Sequence, residues 1–85
     1  MDRSELARRA KALPDRFADR LDPTAFRHVR EDLGAGEWAE GIDNLITSLA
    51  DTRSPVTADE RDELAALLDV IRIPASQLEA LNVQD

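Results

Sequence analysis

The sequence predicts an all-α fold, a small single-domain bundle of three to five helices. Apolar residues recur at three- and four-residue steps in several stretches, the spacing that lines one face of a helix. Helix-start signals precede two of these stretches: Asp22-Pro23, and Thr57 with Glu60 three residues on. No segment shows the strict apolar-polar alternation of a half-buried strand. A chain of 85 residues has room for one domain with a modest core. It divides into a basic N-terminal helical segment, 1–21, and an acidic helical core, 22–85.

The first helix follows Ser4, a candidate N-cap, and carries Leu6, Ala10 and Leu13 on one face. Pro14 lacks the N–H that would bond residue 10 and disfavours helical geometry at Leu13, so the helix breaks there. A short helical turn from Pro14 to Leu21 continues the stripe with Phe17 and Leu21. Asp22 then caps a helix with Pro23 at its first position and Phe26, Val29 and Leu33 as its apolar face. Gly34-Ala35-Gly36 supplies a glycine C-cap and a tight turn. From Glu37 to Asp51 the periodicity is clearest, with Trp38, Ile42, Leu45, Ile46 and Leu49 on one face. Ser54-Pro55 marks a loop, and Thr57 and Glu60 form a capping box. The helix they open presents Leu64, Leu67, Leu68 and Ile71, and Pro74 ends it or begins a final turn bearing Leu78 and Leu81. The expected core is Phe17, Phe26, Val29, Leu33, Trp38, Ile42, Leu45, Ile46, Leu49, Leu64, Leu67, Leu68 and Ile71.

Composition excludes several functions. With no Cys there is no disulfide, thiolate metal site or thiol nucleophile, and a single His leaves little for imidazole chemistry. No apolar run approaches the roughly 20 residues that span a bilayer, and Met1 to Leu13 lacks a signal-peptide core, so a cytoplasmic protein without membrane contact is expected. Ten arginines against one lysine point to a GC-rich bacterial coding sequence. Asp59, Glu60, Asp62 and Glu63 sit in the first turns of a capped helix, where the helix dipole favours carboxylates. No stretch has the ligand spacing of a calcium loop, and carboxylates on solvent faces lack the unlike environments that acid-base catalysis needs. The expectation is a protein that is not an enzyme, with no catalytic residues, metal, cofactor or small-molecule ligand.

The formal charge of −7 is unevenly divided. Residues 1–30 hold eight basic and five acidic side chains, a net of +3; residues 31–85 hold three and thirteen, a net of −10. Glu31, Asp32, Glu37, Glu40 and Asp43 surround the Gly-Ala-Gly turn and concentrate negative charge at one edge of the bundle. Such a surface attracts basic proteins and speeds encounter, and it argues against nucleic acid as a direct ligand. Any one of these carboxylates is by default a solvated surface group, and the case for function comes from their sum. Trp38 is first a core anchor and second an interface hot spot; His28 is an ordinary surface side chain. Arg3, Arg8, Arg9 and Lys11, with Glu5 interleaved, suit intramolecular pairing better than RNA.

Among small acidic helical proteins, acyl carrier proteins require an Asp-Ser-Leu context at the start of a helix. Here Ser48-Leu49 follows Thr47 within a helix, and Ser4, Ser54 and Ser76 lack matching neighbours. A different resemblance runs from Leu21 to about Ile73: Gly36-Glu37-Trp38, then Ile42, Leu45, Ile46 and Leu49, then Pro55-Val56-Thr57, then Glu60-Arg61-Asp62-Glu63-Leu64. This stretch resembles the small immunity proteins of bacterial polymorphic-toxin and contact-dependent growth inhibition systems, especially the Maf-type group. Gly41 departs from that pattern, which has a better helix former there. The resemblance implies binding and neutralisation of a cognate toxin domain, often a basic nuclease, by covering its active site or substrate groove. The residues expected to pair with its Lys and Arg are Glu31, Asp32, Glu37, Glu40, Asp43, Asp59, Asp62 and Glu63, with Trp38 beside them. The alternative is a helical regulatory adaptor or antitoxin acting through proteins or, less well supported, DNA, for which the helix after Pro23 offers only Arg27 and Arg30. Self-association through Leu6, Leu13 and Phe17 is a third expectation.

Overall fold

Each helix begins where the local chemistry satisfies its unpaired N–H groups. The computed structural model describes residues 1–84. Helix α1, Arg3–Lys11, is capped by the Asp2 carboxylate, which accepts from the Glu5 N–H at 2.7 Å. Ser4 therefore lies inside the helix instead of capping it: an anionic acceptor two residues earlier has taken the role. The break at Pro14 appears as expected, with a short α2, Leu13–Arg16, and a 3-10 turn, Ala18–Arg20. Helix α3, Pro23–Gly34, starts on Asp22, whose carboxylate accepts from the Ala25 N–H at 2.8 Å. Helix α4, Trp38–Asp51, carries the strong apolar stripe, and α5, Ala58–Val70, has the complete Thr57/Glu60 capping box. A 3-10 run, Ala75–Ala80, closes the chain over the core.

Three helices end in the same way. After α3, Gly36 takes the left-handed conformation (φ 79°), its N–H bonds the Leu33 carbonyl at 3.2 Å, and the Glu37 N–H reaches the Asp32 carbonyl at 2.9 Å. This is the Schellman arrangement, and it folds α4 back along α3. The same pair of bonds follows α4 and α5, but there arginines occupy the left-handed position: Arg53 at φ 54° and Arg72 at φ 60°.

One element has no counterpart in the sequence reading, which expects no strand. Pro55–Val56 (β1) and Asn82–Val83 (β2) pair in parallel, and the Gln84 N–H bonds the Val56 carbonyl at 2.8 Å. Two residues are too few for an alternating pattern to be visible. The pairing is fixed by tertiary packing that buries Val56.

The core joins all parts of the chain. Phe17, Val29, Leu33, Ile42, Leu45, Ile46, Leu49, Leu64, Leu67 and Leu68 are buried as expected. Phe26, Trp38 and Ile71, also expected there, are only half-buried: Phe26 and Trp38 stand in the first turns of α3 and α4, and Ile71 is the C-cap of α5. Leu6, Ala10, Leu13, Val56, Leu78 and Leu81 complete the core. The first helices pack against α3 and α5, so Leu6, Leu13 and Phe17 are spent inside this chain and do not form an exposed face for self-association.

Candidate protein-binding site

The acidic residues of the second part of the chain separate into two groups with different roles. In α5 the inward carboxylates are neutralised by the N-terminal segment. Glu60 is 5% exposed and accepts from Arg20 at 2.6 and 2.8 Å, from Arg16 at 3.0 Å and from the Thr57 N–H at 2.9 Å. Arg20 also donates to the Pro55 and Arg16 carbonyls, and its guanidinium lies 4.5 Å from the centroid of the Phe17 ring. These bonds, led by Arg20, hold the Glu60 carboxyl down at about 2 and raise the Arg20 guanidinium, while burial acts in the opposite direction on both.

Arg9 grips Glu63 with two N–H groups, one of them 2.8 Å from Oε2. The pairing lowers the Glu63 carboxyl and raises Arg9. Glu63, expected to meet a partner, is thus engaged within the chain. Asp59 and Asp62 point outward on the same helix and are exposed; the nearest cation to Asp62 is Arg61 at 3.8 Å. Capping-box spacing identified one function of Glu60, whereas its pairing with arginines some forty residues away has no signature in local spacing.

The corner between α3 and α4 is organised differently. The Schellman turn brings Glu31 and Asp32, in the last turn of α3, beside Glu37 and Glu40 at the start of α4, with Asp43 a turn further along. Gly41 sets the helix spacing: a Cβ there would lie 2.5 Å from Leu33 Cδ2 and 3.3 Å from Asp32 Cβ. Asp32 is half-buried and accepts from Asn44 Nδ2 at 2.9 Å, a bond that ties the two helices together. Glu31, Glu37, Glu40 and Asp43 are exposed, and none forms an ion pair among the described residues. Trp38 packs its inner side on the core, and Gly36 and Ala35 beside it are exposed. The corner therefore holds a half-buried aromatic beside four exposed carboxylates that form no ion pair among the described residues.

Two clefts lie elsewhere. A polar one of about 290 Å³ separates α3 from α4 and is lined by Asp22, Thr24, His28, Asn44, Thr47 and Ser48. A second, of about 300 Å³, is lined by Arg8, Arg9, Ala12, Leu13, Arg16 and Glu63. Among the described residues no group of three acidic or imidazole side chains is placed to hold a metal ion, and no helix is long and apolar enough to cross a membrane. Compared with family models, with curated proteins and with solved structures, the chain matches none.

Proposed function

We propose that this protein is an immunity protein that binds a basic toxin domain, a nuclease in the first instance, and occludes its active site or substrate groove. The observation that carries the reading is the α3–α4 corner, where Glu31, Glu37, Glu40 and Asp43 are exposed and form no ion pair among the described residues, while Arg9, Arg16 and Arg20 of the N-terminal segment pair with Glu63 and Glu60 of α5. Carboxylates so placed can stand in for phosphates against the Lys and Arg of a nucleic-acid-binding groove. Trp38 supplies the apolar centre that such an interface needs within a charged rim. Asp59 and Asp62 are exposed in the first turns of α5, which follows the far end of α4, and form a second acidic patch.

The test is to identify a toxin domain among the proteins encoded next to this chain, co-express the two, and follow with isothermal titration of the purified pair. Rescue of growth and a complex that weakens as salt rises are expected, with Glu37→Lys combined with Glu40→Lys weakening it by about tenfold or more. A cell that is not rescued, with no complex on size exclusion, sinks the proposal.

A further inference from the structure

We propose that the cleft between α1, α2 and α5 is a docking groove for an acidic peptide segment that carries an apolar residue between its carboxylates. This inference is independent of the toxin-binding reading, which concerns the opposite sign of charge at another corner.

In a chain of net charge −7, the lining of this cleft has three arginines against one carboxylate. The arginines are not equivalent. Arg9 is saturated by its two-point grip on Glu63, which fixes the back wall. Arg16 uses only Nε, toward Glu60; its two terminal nitrogens have no partner among the described residues, and its side chain is 57% exposed. Arg8 makes no hydrogen bond there and has only Glu5 at 3.5 Å, with 73% of its side chain exposed. Two guanidinium groups thus keep donors free, one on each side of the helix break. Their planar forks suit carboxylates that approach in two-point fashion.

The floor between them decides the ligand class. Pro14 breaks the helix, α1 stops at Lys11 and α2 begins at Leu13, so Ala12 and Leu13 line the gap. A ligand that fills it places an apolar side chain on the exposed Ala12 methyl, with only the 3% exposed edge of Leu13 beneath it, while its anions meet Arg8 and Arg16. An acidic peptide with an intervening leucine has that composition. Inorganic phosphate offers no apolar group, and a nucleic-acid strand would bring its whole line of phosphates against the acidic remainder of the surface. At about 300 Å³ the cleft falls at the small end of ligand-binding sizes, which suits one side chain with its flanking backbone.

Fluorescence anisotropy tests this with the full chain and a fluorescein-labelled seven-residue peptide of alternating Glu and Leu. Parallel arms use a labelled uridine oligonucleotide, and inorganic phosphate as competitor. Saturable peptide binding is expected, weakened about tenfold by Arg8→Glu, which disturbs only an exposed pair, and also by Arg16→Gln. Should Arg16→Gln unfold, Arg8→Glu alone decides the matter, with circular dichroism certifying its fold. A peptide that does not bind at millimolar protein, binding unchanged by Arg8→Glu, or an oligonucleotide that binds as tightly as the peptide would each overturn the proposal. Displacement of the peptide by millimolar phosphate would likewise overturn it, since the apolar floor would then contribute nothing.

Discussion

Gly41 is the residue where helix propensity and packing conflict most directly. Within α4 an alanine would be favoured by as much as about 1 kcal/mol on backbone grounds. The added methyl would however meet Leu33 at 2.5 Å from Cδ2 and 2.7 Å from Cγ, and Leu33 is wholly buried with a branch point that cannot swing away. Overpacking of this kind costs roughly 1–3 kcal/mol, so Gly41→Ala should lower stability by about 1–2 kcal/mol despite its better propensity. Gly34 provides the opposite case, since a Cβ there meets nothing within 4 Å. Gly34→Ala should therefore leave the melting temperature unchanged or raise it, while Gly41→Ala lowers it by several degrees in thermal scans followed by circular dichroism. A rise for both variants would show that α3 and α4 do not meet this closely. The glycine in mid-helix thus has a physical cause in this chain, a close helix crossing.

At the scale of elements, the helices were legible because their signals are local. Asp22-Pro23, the Thr57/Glu60 box and the stripe from Trp38 to Leu49 each specify a start or a face within a few residues, and each is found where expected. What escaped was nonlocal: the β1–β2 pairing joins residues far apart in sequence, and Leu78 and Leu81 are buried by a 3-10 run with little periodicity of its own. Helix ends were half legible. Gly36 announces a left-handed terminus, but Arg53 and Arg72 adopt the same conformation without any compositional sign. A left-handed residue with a Cβ costs roughly 1–2 kcal/mol, and glycine forfeits part of that advantage through its freer unfolded chain. Arg53→Gly and Arg72→Gly should accordingly each stabilise the fold by about 0.5–1 kcal/mol, measured as a higher urea midpoint with an unchanged slope. A lower midpoint for both would mean that these side chains contribute contacts outweighing the backbone cost.

The whole molecule is joined by charge as well as by its core, since the N-terminal helices reach α5 through Arg9, Arg16 and Arg20. The candidate site was legible in part for the same reason: acidic residues beside a glycine turn are visible in sequence, but which carboxylates are already neutralised depends on tertiary pairing. Glu60 and Glu63 are, whereas Glu31, Glu37, Glu40 and Asp43 are not. This division fixes how stability responds to acid. The Glu60 carboxyl titrates at about 2 in the folded chain against an ordinary value of 4.5, so the unfolded chain binds the proton first as pH falls. Its stabilising contribution is complete above pH 4.5 and is progressively lost as pH falls toward 2, with Glu63 acting in the same direction. The shift corresponds to on the order of 3 kcal/mol for Glu60, a large share of the stability of a small domain. Glu60→Gln removes the charge and should destabilise the protein at pH 7. Near pH 2 the wild-type carboxyl has lost most of its advantage, and the two proteins should there differ by much less. Urea unfolding at pH 7, 4, 3 and 2 measures this convergence directly. A gap between wild type and Glu60→Gln that stays constant over that range would show that the arginines do not stabilise Glu60 through its charge.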